Sequence, residues 1–202
     1  MSYSAFTSNH SPADGLPRNS GFTLIELLTV STVIAILLAI GVPSFRYVTA
    51  ANRASAEING LLGDMQFARA EAIREGQWVT ICASSDQLTC AGGPGTNWNI
   101  GWIVFSDPPD SGTFNSATDS YLKQQKTFSG SDTLVADQGV NTVTFSREGF
   151  AMSLPNPVTF TLHDATANAN YTRCLSLTIV GALSTQIGGG LTAEGGDRKS
   201  VV

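Results

Sequence analysis

Apolar residues form one unbroken run near the start of the chain. From Phe22 to Val42 the sequence reads FTLIELLTVSTVIAILLAIGV, and Glu26 is its only charged residue. As a helix this run would extend roughly 30 Å, the thickness of the hydrocarbon core of a bilayer. It therefore predicts a transmembrane helix. A secretory signal fits less well because no small-residue cleavage site follows, and a buried soluble helix fits less well because the run has no polar face.

The helical pattern continues beyond Val42 but becomes two-sided. Pro43 lies where a kink is tolerated, Gly60 and Gly63 permit bending or close packing, and Gly76 is the expected end. We expect a helix of about 54 residues, roughly 80 Å long, whose second half is an amphipathic stalk. The apolar face is Ile58, Leu61, Leu62, Met65, Ala68 and Ala72, and the polar face is Asn59, Asp64, Gln66, Arg69, Glu71 and Arg74.

From Trp78 onward the apolar period changes to that of β-strands. The fold class is therefore α+β, with a long N-terminal helix packed on one antiparallel sheet. In the last strand Leu175, Leu177 and Ile179 should face the helix, with Cys174, Ser176 and Thr178 pointing away. The segments 107–115 and 164–170 are expected to be surface loops. The expected strands are Trp78–Cys82, Trp102–Phe105, Thr142–Ser146, Val158–Leu162 and Arg173–Val180.

Composition and cysteine spacing narrow the class of protein. The chain has 202 residues, which is short for two independent domains. Its net charge is -5, so it repels phosphate backbones. Its three cysteines have no zinc-site spacing. Cys82 and Cys90 flank a short loop that a disulfide can close, which suits an oxidising compartment. Pairing of Cys174 with either of them is the alternative.

Residue types that carry catalysis are sparse. His10 lies before the apolar run, His163 is expected at the end of a strand, and the GGPG stretch lacks the lysine of a phosphate loop. Trp98 and Trp102 are expected to be core aromatics rather than ligand-stacking platforms. We therefore expect a protein that is not an enzyme, with no catalytic or metal-binding residues and no cofactor.

The junction before the apolar run resembles a known processing site. Residues 1–21 are polar and form neither a helical nor a strand pattern. The sequence Gly21-Phe22-Thr23-Leu24-Ile25-Glu26 resembles the class III signal peptides of type IV pilins. The resemblance implies that prepilin peptidase cuts between Gly21 and Phe22 and methylates the new amine of Phe22. It also implies that Glu26 neutralises the N-terminal ammonium of a neighbouring subunit during assembly.

The β-rich part resembles a subfamily of these proteins. The runs VTICASSDQLTC (79–90), WNIGWIVFSD (98–107), VTFSREGF (143–150) and CLSLTIVGALS (174–184) are similar to GspH/FimT-type minor pilins and pseudopilins. The resemblance implies a minor type IV pilin that primes or caps pilus assembly. A pseudopilin of a type II secretion system is the alternative. DNA capture is disfavoured, because Gly181-Ala182-Leu183-Ser184 stands where DNA-binding relatives carry Gly-Arg-x-Arg.

The resemblance also implies an order of segments and a location. We expect a cleaved leader (1–21), a transmembrane helix (22–42), a stalk helix (43–76), a β-rich head (77–187) and a flexible tail (188–202). The expected location is the bacterial inner membrane, as a single-pass protein with a periplasmic head, and then the pilus or pseudopilus near its tip. The positive-inside rule alone would not give this topology, since Arg46 and Arg53 follow the helix. The expected partners are other pilins or pseudopilins, prepilin peptidase and the inner-membrane assembly platform.

Overall fold

The computed structural model describes residues 21–91, 97–108, 110–152, 154–165 and 171–187. The rest of the expected leader, the expected tail and residues 166–170 of one expected loop lie outside these ranges. Contacts divide the chain into two compact units, one ending at Ser44 and the other beginning at Phe45. The segment boundaries expected from the sequence stay predictions.

A single long helix opens the described chain. Helix α1 runs from Leu24 to Glu75, 52 residues, close to the expected length. Pro43 lies inside it without ending it, since α-helix is assigned on both sides. The helix ends at the residue before Gly76, whose φ of +66° lies in the left-handed region that favours glycine. The long helix expected from periodicity is confirmed.

Nine strands follow α1 in the described residues. They form two antiparallel sheets instead of the one sheet expected. The five-stranded sheet has the order β3-β2-β1-β5-β6 and the four-stranded sheet the order β4-β7-β8-β9. The strands are β1 Val79–Ala83, β2 Gly101–Ser106, β3 Ser120–Lys126, β4 Thr133–Ala136, β5 Thr142–Phe145, β6 Ala151–Met152, β7 Val158–His163, β8 Arg173–Leu177 and β9 Leu183–Ile187.

The last expected strand is shorter than predicted, because a turn follows it. β8 stops at Leu177 because the chain reverses around Gly181, which has φ +77° and donates its N–H to the Thr178 carbonyl at 2.9 Å. The chain then returns as β9 beside β8. The inward direction of Leu175 and Leu177 is confirmed, since both are fully buried. That of Ile179 was wrong, because it lies exposed in the turn; Cys174 is buried, although alternation along β8 places it on the face opposite Leu175.

The main core lies within the second unit. It joins six apolar residues of α1, from Ala54 to Ala72, with inward-facing residues of both sheets. Trp98 and Trp102 are fully buried there, as expected for core aromatics. A smaller cluster of Cys82, Ile103 and Phe105 lies on the other face of the five-stranded sheet. Alternation of these two sets along β1 and β2 follows from the two-residue period of a strand.

Candidate processing and assembly site

The expected cleavage site lies just before α1. Gly21 and Phe22 are exposed and precede the first helical residue, and the Phe22 side chain is 82% exposed. Thr23 caps the helix, because its Oγ1 accepts a hydrogen bond from the Glu26 N–H at 3.2 Å and its carbonyl accepts one from Leu27 at 3.2 Å. An exposed glycine next to a capped helix start is accessible to a peptidase.

Glu26 occupies the third helical position, counted from the Thr23 cap. Threonine at the cap with glutamate three residues later is the sequence pattern of a capping box. The Glu26 side chain is exposed and lies in the first turn, where a negative charge interacts favourably with the helix dipole. The same position faces outward, so its carboxylate is available to a cation supplied by another molecule.

The first half of α1 presents apolar side chains on every side. All residues from Leu24 to Thr49 are exposed. The helix is long and apolar enough to cross a membrane by length and composition, a test that signal sequences also pass. The large exposed apolar residues on this stretch are Leu24, Ile25, Leu27, Leu28, Val30, Val33, Ile34, Ile36, Leu37, Leu38, Ile40, Val42, Phe45, Tyr47 and Val48.

Four hydroxyl side chains on this stretch are bonded back to the helix. Thr29 Oγ1 donates to the Glu26 carbonyl at 2.9 Å, and Ser31 Oγ donates to the Leu28 carbonyl at 2.9 Å. Thr32 and Thr49 bond to carbonyls three and four residues earlier in the same way. Their polar groups are therefore satisfied without water, which lowers the cost of placing this half of the helix in an apolar environment.

Apolar packing holds the second half of α1 to the sheets. Three charged residues of the helix, Arg53, Asp64 and Arg69, add polar contacts. The first is a two-bond ion pair: Arg53 donates from Nε to Asp132 Oδ2 at 2.6 Å and from Nη2 to Asp132 Oδ1 at 2.5 Å. Asp132 is almost fully buried. A buried carboxylate needs such a partner, so Arg53 fixes the loop before β4 against the helix.

Asp64 corrects the expected polar face of the stalk. It is 5% exposed, whereas the sequence pattern placed it on the solvent side. Its Oδ2 accepts the indole N–H of Trp102 at 2.8 Å, and its Oδ1 forms an ion pair with Lys123 of β3. Glu71 is buried as well, and its carboxylate bonds to Arg74. These acids are inside because specific donors reach them there.

The two glycines in the second half of α1 have no close neighbours. A Cβ built on Gly60 or Gly63 would meet no atom within 4 Å. Close packing at these positions is therefore absent within the described part of the chain. Arg69, by contrast, reaches two turns of the head, donating from Nε to the Gly149 carbonyl at 2.9 Å and from Nη2 to the Val180 carbonyl at 3.3 Å.

Glu57 lies one helical turn after Arg53 and has a shifted pKa. Burial, followed by the neighbouring charge of Asp132, raises the pKa of Glu57 to about 7, and Arg53 opposes the shift. Its Oε2 atom is buried without a hydrogen-bond partner among the described residues. Glu57 therefore carries less than a full negative charge at neutral pH.

The expected disulfide is confirmed, and the alternative pairing of Cys174 is excluded. A disulfide joins Cys82 in β1 to Cys90, and Cys174 is a free, buried thiol. Between the two bonded cysteines, Asp86 accepts the N–H groups of Leu88 and Thr89, each at 2.9 Å, and these bonds hold the Asp86 pKa well below its ordinary value. The loop is thus fixed at its ends by the disulfide and at its centre by one carboxylate.

The remaining candidates for chemistry lie apart from one another. His163 is at the end of β7, with Nδ1 3.2 Å from the Thr172 hydroxyl. In the described ranges no three His, Cys, Asp or Glu side chains come together in a way that could hold a metal ion. Periodicity gave no sign of the partners Asp132, Gly149 and Val180, because they are distant in sequence from the helix that contacts them.

Comparisons with known proteins agree with this arrangement. The family model for the type II transport protein GspH matches residues 57–182, and the model for the prokaryotic N-terminal methylation motif matches residues 16–42. A structure of the type IV minor pilin FimU of Pseudomonas aeruginosa is 20% identical, covers 70% of this chain and 92% of its own, and has a TM-score of 0.51. That likeness supports the fold: one long N-terminal helix on antiparallel sheets.

A second solved structure is more distant. The minor pseudopilin EpsH of the type 2 secretion system of Vibrio cholerae is 14% identical, covers 68% of this chain and 98% of its own, and has a TM-score of 0.47. A search of curated proteins finds no match.

Proposed function

The chain belongs to the GspH family, which makes it a minor pilin or pseudopilin, and we propose that it is a minor pilin that primes or caps assembly of a type IV pilus. The observation that carries the proposal is the bare apolar half of α1, preceded directly by Gly21-Phe22 and carrying Glu26 in its first turn. Such a helix needs an apolar surrounding that the described residues of this chain do not supply, and a membrane or a bundle of like helices supplies one.

Processing is the first step of the proposed mechanism. Prepilin peptidase cuts between Gly21 and Phe22 and methylates the amine of Phe22. Exposure of both residues and the absence of a side chain on Gly21 support access to an extended segment. The product begins with a charged amine four residues before the first-turn acid Glu26, at the end of an apolar helix.

Assembly is the second step. The apolar half of α1 leaves the membrane and packs among the helices of other subunits, where Glu26 pairs with the N-terminal ammonium of its neighbour. An unpaired carboxylate in an apolar bundle costs several kcal/mol, and an ammonium of opposite charge offsets that cost. Because Glu26 is exposed at the helix start, its charge is directed at another molecule rather than at its own chain.

The head then sets where the subunit sits in the filament. The core of the head lies within the second unit. The head can therefore present the same surface when the apolar half of α1 is in the membrane and when it is in the filament. A pseudopilin of a type II secretion system is the second candidate, favoured by the description of the family whose model matches residues 57–182.

The proposal is tested in native cells by shearing surface filaments and separating them from membranes. We expect mass spectrometry to find the chain in the sheared filaments, beginning at methylated Phe22. A chain that is processed but confined to the membrane fraction favours the secretion pseudopilin, and an uncut N-terminus in both fractions contradicts either role.

Two variants separate the two steps. Gly21→Leu should leave the chain uncut, because a bulky side chain obstructs the extended segment at the peptidase. Glu26→Gln should be cut and methylated but recovered from filaments at a level at least about tenfold lower, since it cannot neutralise an ammonium. Glu75→Gln, at the other end of α1, is the matched control and should behave like the parent chain. Equal incorporation of Glu26→Gln and Glu75→Gln would contradict the assigned role of Glu26.

A further inference from the structure

Five large apolar side chains are exposed around two turns of the head. Ile73 at the end of α1 is 52% exposed, Phe150 45%, Met152 38%, Ile179 45% and Val180 56%. We call them the turn patch. Most surface apolar residues occur singly and need no explanation, whereas a contiguous group marks a site of contact with another molecule.

The backbone brings these residues together. The Ala151 N–H donates to the Ile179 carbonyl at 2.9 Å, so the turn after β5 lies against the turn after β8. A Cβ built on Gly149 would lie 2.9 Å from Cδ1 of Ile73, which places the end of α1 beside the same two turns. Ala151 points into the core between Phe150 and Met152, which therefore share the outward direction.

The patch is held in one conformation. Gly149 and Gly181 have φ of +84° and +77°. A Cβ on Gly181 would lie 2.2 Å from the Gly149 carbonyl oxygen, which shows how closely the two turns approach. Arg69 bonds to a carbonyl in each turn. A surface that is already ordered loses little conformational entropy when a partner binds.

The arginine side chains around the patch already have hydrogen-bond or ion-pair partners within the chain. The Arg69 guanidinium donates to carbonyls, Arg74 is paired with Glu71 and Glu75, and Arg147 is paired with Glu148. A nucleic acid needs cations that are available to its phosphates, and here three carboxylates accompany the arginines. The surface therefore suits an apolar partner without a strong charge of its own.

The size of the patch limits the kind of partner. Five half-exposed side chains amount to a few hundred Å² at most, whereas a stable complex buries roughly 800 Å² on each partner. Two free copies of the chain, each with net charge -5, would also repel one another. The patch is sufficient only for a partner that is already held close by, because a high effective concentration then replaces binding area.

We propose that the turn patch docks the head of a different subunit of the same filament, through an apolar and uncharged surface of that subunit. The inference rests on the proposed function, since packing of the apolar half of α1 among neighbouring helices is what holds the partner close. Ile73 and the two turns form the contact, and Arg69 positions the turns without touching the partner.

The first test places a photoreactive phenylalanine analogue at Phe150 or Val180 of the full-length chain in native cells. Leu88 is the matched control, since it is apolar, 67% exposed and held in the disulfide loop. Irradiation should give at least about tenfold more adduct from the patch than from Leu88. Mass spectrometry should identify the partner as another protein whose own N-terminus is a methylated residue followed by an apolar run.

Each other outcome overturns the proposal. Equal adduct from Leu88, no adduct from either patch position, or an adduct with lipid, nucleic acid or a second copy of this chain all contradict docking of a different subunit head.

The second test compares variants and separates this inference from the proposed function. Val180→Asp should be cut and methylated at Phe22 yet lower its own recovery in filaments by about tenfold or more, as expected for a central contact residue. Leu88→Asp should match the parent chain. Normal incorporation of Val180→Asp overturns the docking surface, and failure to process the parent chain overturns the proposed function instead. Phe150→Ser, a milder change, decides the matter if Val180→Asp proves sensitive to protease.

Discussion

The two halves of α1 differ in what covers their apolar side chains. From Leu24 to Thr49 every residue is exposed, whereas from Ala54 to Ala72 one stripe is fully buried against the sheets. Both halves belong to one continuous helix. Hydrogen bonding along the backbone therefore determines that the chain is helical, and the distribution of apolar residues around the helix determines where its stabilisation comes from.

Two of the acids on this helix, Asp64 and Glu26, show the same difference. Asp64 is surrounded by donors from its own chain, with Trp102 at 2.8 Å and Lys123 in an ion pair. Glu26 is exposed among apolar side chains. An acid with internal donors contributes to the stability of the head, whereas Glu26 forms no ion pair within the part of the chain that the structure describes.

The largest effect should come from matched deletions in the two halves. Leu61→Ala removes a fully buried side chain and should lower the free energy of unfolding of the head by about 2–5 kcal/mol. Ile36→Ala removes an exposed side chain and should change it by less than about 0.5 kcal/mol. Urea unfolding of the detergent-solubilised full chain, followed by tryptophan fluorescence, measures both. Similar losses would mean that the first half also packs on the head.

A comparison of the two acids should give the next largest effect. Asp64→Ala leaves the buried indole N–H of Trp102 without an acceptor and should cost about 1–3 kcal/mol in the same unfolding experiment. Asp64→Asn keeps an acceptor oxygen and should cost less. Glu26→Ala should leave unfolding of the head unchanged, and a loss as large as that of Asp64→Ala would show that Glu26 is bound within its own chain.

Glu57 makes the stability of the head depend on pH. Its pKa is raised to about 7 in the folded state, so between the ordinary value of 4.5 and about 7 the folded chain holds a proton that the unfolded chain releases. Stability from this group is therefore full below pH 4.5 and falls as pH rises to about 7.

Unfolding measured at several pH values tests this assignment. Glu57→Gln cannot lose a proton and should flatten the decline in stability between pH 4.5 and 7. The matched variant Glu26→Gln should leave the decline as it is in the parent chain. An unchanged slope in Glu57→Gln would assign the pH dependence to other groups.

The smallest effect concerns the glycines of the packed half. Gly60→Ala meets open space and removes the entropic cost of a helical glycine, so it should stabilise the head by roughly 0.5–1 kcal/mol in thermal unfolding. Recovery in sheared filaments is the second readout. A more stable subunit that assembles less well would indicate that a neighbouring helix approaches at Gly60, whereas normal assembly would leave the glycine without a packing role.

Local patterns were sufficient for α1, for the burial of Trp98 and Trp102 and for five of the strands. Four strands were missed. β3 and β9 are polar edge strands, with sequences SYLKQQK and LSTQI, and they lack the apolar alternation by which a strand is recognised. β4 and β6 have only four and two residues. Each is a strand because a neighbour supplies hydrogen bonds, and that neighbour is distant or separated by a turn.

The sequence by itself was sufficient to predict helix α1, its apolar first half and a candidate processing site at Gly21. Each of these depends only on neighbours within a few positions. Only the tertiary structure decided that there are two sheets, that Asp64 is inside, that Arg53 reaches Asp132 and that the turns at Gly149 and Gly181 meet. These features join residues tens of positions apart, and they depend on which donors and apolar surfaces the completed core brings within reach.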